Sequence, residues 1–198
     1  HRCVTLDASE YGPAAQVADE TIVGDYKDAE KMKELAGRAD VLTFEVESVN
    51  ADALIAIEKS GKPVHPTPRT LSIIKDKLNQ KYFLRDQGIP VAPFVDEKDA
   101  HTLGYPYVLK ARSGGFDGRG NALVESEADL QAAKAKIGNV PAYAEGFVHF
   151  QKELAIVAAR TVSGEISVFP LVETIHKNHI CHMVIAPAVV SDAVAQKA

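Results

Sequence analysis

The densest chemistry in this sequence lies between Lys110 and Asn121. Four glycines, Gly114, Gly115, Gly118 and Gly120, fall within eight positions between two apolar runs. Glycine costs backbone entropy on folding, so an ordinary hairpin has no reason to concentrate it. A chain that must approach a phosphate has one: backbone N–H groups can turn onto the anion with no Cβ atoms in the way. Lys110, closing the run 107–110, can add a point charge to a phosphate oxygen. Phe116, Asp117 and Arg119 set a ring, an acid and a cation among the glycines. On these residues alone the segment is equally a flexible hairpin with charged tips. It is not a Walker A loop, because the G-x-x-x-x-G-K-[ST] spacing is absent.

Other residues offer less. Glu45 and Glu47 alternate after the apolar run 41–44, so they share one face and suit a site at the C-terminal end of a strand. Ordinary solvation accounts for them equally. Asp7 closes the run 4–6, where Rossmann-like domains often meet a ribose, but no G-x-G-x-x-G is present. Cys3 and Cys181 share no metal-ligand spacing and read as buried structural thiols of a chain in a reducing compartment.

The elements that must carry these residues alternate in the first third. A strand is expected over 4–6, a helix over 26–38 with Gly37 as its stop, and a buried strand over 41–44. A helix over 51–59 and a strand over 63–65 follow. Strands separated by helices imply parallel β-α-β units, so residues 1–66 read as a partial Rossmann-like domain. Residues 67–89 read as a linker helix. Thr67 caps it, Pro68 opens it, and Leu71, Ile74, Leu78 and Tyr82 form one stripe before Gly88.

From residue 90 the texture changes. Extended chain is expected over 90–95, with strands over 107–110, 121–124 and 142–145. A helix opened by Ser126 turns Leu130, Ala133 and Ile137 inward. Apolar runs from 154 to 188, broken by Ser163-Gly164, read as antiparallel sheet. The fold class is α/β.

Composition excludes several functions. With 46% hydrophobic and 25% charged residues the chain can bury a sizeable core. A net charge of −5 with no basic run argues against a nucleic-acid partner. No apolar stretch approaches the roughly 20 residues that span a bilayer. Soluble, cytoplasmic chemistry on small molecules is expected. The chain opens inside a strand, without Met or signal peptide, and stops soon after Ser191 starts a helix, so both ends read as cut.

Several segments, in order, carry a resemblance. They are Lys110 with Ser113-Gly114-Gly115-Phe116-Asp117-Gly118-Arg119-Gly120, Tyr143-Ala144-Glu145-Gly146-Phe147, Lys152-Glu153-Leu154, and Pro170-Leu171-Val172-Glu173-Thr174-Ile175-His176-Lys177. Together they resemble the ATP-grasp family. Within it they resemble the 5-(carboxyamino)imidazole ribonucleotide synthetase branch, which fungi carry at the front of a phosphoribosylaminoimidazole carboxylase. Asp40-Val41-Leu42-Thr43-Phe44-Glu45-Val46-Glu47, Asp76-Lys77, Gln80-Lys81 and Ala186-Pro187-Ala188 also fit, so the likeness runs through essentially the whole chain.

The resemblance implies a site. Residues 1–66 would be a partial pre-ATP-grasp domain and 90–198 an ATP-grasp domain incomplete at its C-terminus. Lys110 would contact ATP phosphates and Gly115, Phe116, Asp117, Gly118, Arg119, Gly120 and Asn121 would form a lid. Glu145, Gly146, Phe147 and Val148 would read adenine, and Glu153 would hold the ribose hydroxyls, since a carboxylate accepts two hydrogen bonds. Lys77, often Arg in bacterial members, and His176 would complete the nucleotide site. Phe116, where bacterial members usually carry Tyr, would touch the ribonucleotide with Asp117 and Arg119, and Glu45 is a further substrate candidate. Lys110 and Arg119 would be catalytic. Lys77 and Glu153 also read as surface charges, and His176 as a structural histidine.

The implied activity is ATP-dependent carboxylation of aminoimidazole ribonucleotide by bicarbonate, through carboxyphosphate, in an enzyme dimeric when intact. A glycine-rich turn before His1 is expected. Mg2+ is expected too, its ligands lying beyond Ala198, so these 198 residues alone should be inactive. Another ATP-grasp ligase and a non-catalytic nucleotide-binding module are the competing expectations.

Overall fold

Capping side chains start each described helix of the first 91 residues. The computed structural model describes residues 1–115, 120–177 and 180–198. Contacts divide the chain into two units, residues 1–91 with 112–114 and residues 92–111 with 115–198.

In the first unit, β1 (Val4–Asp7) pairs in parallel with β2 (Glu20–Val23), Val4 opposite Glu20 and Asp7 opposite Val23. The Asp28 carboxylate accepts from the N–H groups of Glu30 and Lys31 and so begins α1 (Ala29–Arg38), three residues later than the apolar stripe suggested. Gly37 lies inside α1 rather than ending it. Asn50 caps α2 (Ala51–Lys59) through the Ala53 N–H. The strands expected over 41–44 and 63–65 reduce to one parallel bridge, Leu42 to Val64. Its two bonds are Leu42 N–H to the Pro63 carbonyl and His65 N–H to the Leu42 carbonyl, both 2.9 Å. Neither side can extend: Pro63 has no N–H to donate, and after Pro66 the chain turns into a helix.

That helix is not the single one expected over 67–89. Thr67 caps α3 (Pro68–Ile74), and Asp76, extended at ψ 107°, opens α4 (Lys77–Asp86) by accepting from Leu78 and Asn79. Leu71 and Leu78 are buried, while Tyr82 is exposed beneath the Arg85 guanidinium at 4.9 Å. Met32, Leu42, Leu54, Ile57, Val64 and Leu71 make the core of this unit.

The second unit begins with an antiparallel sheet. β3 (Phe94–Asp96), β4 (Tyr107–Ala111), β5 (Asn121–Val124) and β6 (Ala142–Gly146) lie in the order β3-β6-β4-β5. Ser126 holds the Asp129 carboxylate through its N–H and its hydroxyl, each at 2.9 Å, ahead of α5 (Leu130–Lys136). Ala133 and Ile137 then pack with Leu109, Val124 and Ala144.

Beyond this sheet lie β7 (Glu153–Ala155), the hairpin β8 (Ala158–Arg160) and β9 (Ile166–Val168), then β10 (Val172–Lys177) and β11 (Ile180–Ile185). β10 pairs antiparallel with both β11 and β7. Gly164 turns the hairpin at φ +93°. Ser191 precedes a last short helix, α6 (Asp192–Ala195). Cys3 and Cys181 are free and exposed, against the expectation of burial. No described helix is long and apolar enough to cross a membrane.

Leu109, fully buried in β4, one of the two inner strands, is the sharpest test of this core. Leu109→Ala should lower stability by about 2–5 kcal/mol, read by urea unfolding of both proteins. A loss below roughly 0.5 kcal/mol, the range of surface substitutions, would contradict the packing.

Candidate functional site

Alternation along β4 separates core from chemistry. Tyr107, Leu109 and Ala111 are buried, with Val108 and Lys110 on the opposite face. In the antiparallel register Lys110 lies opposite Tyr143, and Val108 opposite Glu145. Lys110, Tyr143 and Glu145 therefore share one face. Lys110 Nζ stands 3.3 Å from Glu145 Oε2, and the Tyr143 hydroxyl donates to the same oxygen at 3.3 Å. The Glu145 side chain is only 12% exposed and that of Lys110 25%, so the pair is little screened by water. A cation held this way is pre-positioned for an anionic ligand.

The glycine-rich segment leaves the sheet just beyond Lys110. Ala111 donates its N–H to the Gly120 carbonyl at 2.8 Å, closing the base. A Cβ on Gly120 would lie 2.6 Å from Gly115 Cα, so this crossing admits only glycine. Gly114 turns at φ +72°. Two reasons for the glycine content are thus steric and local. Asn121 pairs with Lys110 at the start of β5. The expected site residues Phe116, Asp117, Gly118 and Arg119 lie outside the described residues.

In the first unit, Arg112 grips the start of α4. Its guanidinium lies 2.5–3.1 Å from both Asp76 carboxylate oxygens, and its carbonyl accepts the Lys77 N–H at 2.8 Å. Burial opposes ionisation of Asp76. The Arg112 hydrogen bonds and charge, with the Asn79 and Leu78 N–H groups, outweigh it and hold the carboxyl below its ordinary value. Lys77 is half-buried as the first residue of α4. Glu45 is exposed in an irregular stretch, as is Glu47, so the shared-face argument, which needed a strand, does not apply to them.

Elsewhere in the second unit, Glu153 and His176 meet, Oε2 to Nδ1 at 2.9 Å. Glu153 lies opposite Thr174 in the β7–β10 pairing, and His176 is two residues further along β10. Lys152, the residue before β7, bonds Glu173 at 2.7 Å and the Val189 carbonyl at 3.2 Å. Gly146 donates its N–H to the Pro93 carbonyl at 2.8 Å, so that donor is already spent. Phe147 and Val148 follow the strand as exposed residues, the Phe147 ring edge-on to His149 at 4.8 Å.

Within the second unit the structure brings together two sets of expected residues, Lys110 with Glu145 and Glu153 with His176. Sequence reasoning assigned no site role to Tyr143, Asp76, Arg112, Lys152 or Glu173. One of them carried a usable signal: Asp76 is a helix-capping residue placed in mid-stripe.

An α/β chain with a glycine-rich connection between antiparallel strands, rooted beside a lysine, defines a class. Residues 82–198 match the ATP-grasp domain, and residues 1–75 match the ribonucleotide synthetase preATP-grasp domain. The chain belongs to the ATP-grasp family.

Among curated relatives it is 41% identical, over its whole length, to a phosphoribosylaminoimidazole carboxylase of Ogataea methanolica, of which it spans 38%. It is 38% identical, over 96% of its length, to an N5-carboxyaminoimidazole ribonucleotide synthase of Synechococcus elongatus, of which it spans 50%. Among solved structures, N5-carboxyaminoimidazole synthetase from Staphylococcus aureus complexed with ADP matches with TM-score 0.92 and 32% identity, covering 99% of this chain and 54% of that one. Carboxyaminoimidazole ribonucleotide synthase from Aspergillus clavatus complexed with ATP matches with TM-score 0.89 and 36% identity, covering 97% and 53%.

Two outcomes follow from this geometry. Gly120→Ala should force the crossing at Gly115 apart and weaken nucleotide binding, while the sheet's circular dichroism stays; wild-type affinity would contradict the close approach. Because the folded pKa of Asp76 is depressed below an unfolded value of about 3.9, its ionised form stabilises the fold above that pH. The stability gap between wild type and Asp76→Asn, from urea midpoints, should shrink as pH falls below about 4. A gap that stayed constant down to pH ~3 would mean the carboxylate charge contributes nothing.

Proposed function

We propose that this chain is the nucleotide-binding part of an enzyme that carboxylates aminoimidazole ribonucleotide with bicarbonate and ATP in purine biosynthesis. One observation carries the reading: Lys110, fixed by Glu145 and Tyr143, stands at the root of a glycine-crossed segment. It does so in a chain matching carboxyaminoimidazole ribonucleotide synthases along its length. A relative from Aspergillus clavatus has been solved in complex with ADP and 5-aminoimidazole ribonucleotide, which supports the choice of substrate.

In this reading bicarbonate attacks the γ-phosphorus of ATP, ADP leaves, and carboxyphosphate forms. The substrate amine then attacks the carboxyl carbon, expelling phosphate. Lys110 offsets charge on the transferring phosphoryl group, which is the protein's main lever in such reactions. Residues 115–121 cover the phosphates, and Arg119, Asp117 and Phe116 face the ribonucleotide. Glu153, oriented by His176, takes the ribose hydroxyls. Adenine is read by Glu145, the Gly146 carbonyl, Phe147 and Val148, and Lys77 adds a cation. Glu45 remains a substrate contact in this proposal.

Mg2+ would neutralise ATP phosphates in the whole enzyme. No group of three or more His, Cys, Asp or Glu among the described residues fits a metal, so no step here runs through it. Residues 1–66, 67–89 and 90–198 would serve as pre-ATP-grasp part, linker and ATP-grasp part. The reading extends to a cytoplasmic homodimer acting on small molecules, without nucleic-acid or membrane partners; the dispersed acidic charge of −5 supports the absence of a nucleic-acid partner.

Lys110→Met should weaken ATP binding about tenfold or more, the scale of one charge-assisted contact, measured by calorimetry. Unchanged affinity would remove Lys110 from the site. In the whole enzyme, Arg119→Ala should leave stability within about 0.5 kcal/mol yet depress turnover strongly. Normal steady-state kinetics would leave Arg119 a surface charge.

A further inference from the structure

The contact between Asp76 and Arg112 has more bonds than either a helix cap or a surface ion pair requires. A cap needs one acceptor for the second or third helical N–H, which Ser or Asn supplies as well as Asp. Asp76 Oδ1 does that work, taking the Leu78 N–H at 3.0 Å and the Asn79 N–H at 3.2 Å. The same carboxylate also receives Arg112 Nε at 3.1 and 3.0 Å and Nη2 at 2.5 Å. Only a planar guanidinium can make this two-pronged approach; an ammonium cannot. The side chains are about a quarter to a third exposed, so the pair is partly shielded from water.

Arg112 grips a second time. Its carbonyl takes the N–H of Lys77, the first residue of α4, at 2.8 Å. One residue thus fixes both the cap and the first helical amide. The consequence shows in the contacts: residues 112–114 group with the first unit, although Ala111 before them and Gly115 after them group with the second. On one side of this double grip stands Lys77, and on the other Gly114, where the chain turns at φ +72° toward the glycine crossing.

We propose that the Asp76–Arg112 pair is a positioning device, setting Lys77 and the entry to the glycine-rich segment in fixed register for a nucleoside polyphosphate. This rests on the reading that Lys77 and residues 115–121 contact nucleotide. Neither Asp76 nor Arg112 need touch the ligand; they act through Lys77 and through Ser113-Gly114. The cap alone would stabilise α4 without placing anything at residues 113–114. The guanidinium adds that second task.

Two variants separate the tasks. Asp76→Ser keeps a capping oxygen but cannot engage the guanidinium on two prongs, and Arg112→Lys keeps the charge but loses the planar fork. Amide hydrogen exchange without ligand and ADP affinity by calorimetry are measured on wild type and both variants. In Asp76→Ser, the Leu78 and Asn79 amides should stay protected while the Lys77 amide exchanges faster. ADP affinity should fall about tenfold in both variants, the size of one lost charge-assisted contact.

Unchanged exchange at Lys77 in Asp76→Ser would overturn the inference. So would faster exchange there with wild-type ADP affinity, since the pair would then hold backbone and position nothing. Full affinity in Arg112→Lys would show that charge without the fork suffices, and would equally defeat it. A wild-type protein that binds no ADP would remove the nucleotide reading itself, while the ligand-free exchange comparison still decides whether the pair fixes Lys77.

Discussion

The register of β4 is the constraint on which the second unit depends. β4 is flanked by β5 and β6, and side chains alternate along it with a period of two. A slip of one residue would bury Lys110 against Val124 and Ala144 and turn Leu109 to the opposite face. Nothing in the backbone pairing forbids that slip. What forbids it is the mismatch of side chains: Tyr107, Leu109 and Ala111 fill one layer with Ala142 and Ala144. Packing on the inner face thereby fixes the position of a charge on the outer one.

From that register the rest of the site follows in short steps. Tyr143 falls opposite Lys110, so its hydroxyl reaches Glu145, two residues along on the same face. Gly120 comes within bonding distance of Ala111, and the chain can cross Gly115 this closely only because Gly120 lacks a Cβ. At the β7–β10 pairing, Glu153 and His176 meet, while Lys152 ties Glu173 to Val189.

Much of this was legible in the residues, and the failures have physical causes. α2 begins and ends where its periodicity indicates, and the three strands around Lys110 lie where apolar runs placed them. β2 gave no such signal, because Glu20-Thr21-Ile22-Val23 is short and its pairing with β1 is long-range. The stripe from Leu71 to Tyr82 suggested one helix. Periodicity persists across the break at Lys75 and Asp76, and only the capping preference of Asp marks it. Of the site, Lys110 announced itself by its neighbours in sequence. The Tyr143 hydroxyl and the bond from Arg112 to Asp76, 36 positions apart, depend on register and folding that no local pattern encodes.

The grouping of residues 112–114 with the first unit also bears on how such chains can be taken apart or recombined. A boundary drawn near residue 91 looks natural, yet a fragment starting at Ala92 would carry Arg112 away from the acid it grips. Exchange of the leading unit for one from another lineage would meet the same obstacle unless the newcomer brought an acid at the equivalent helix start. For the grip on the start of α4 to persist, Asp76 and Arg112 must be inherited together.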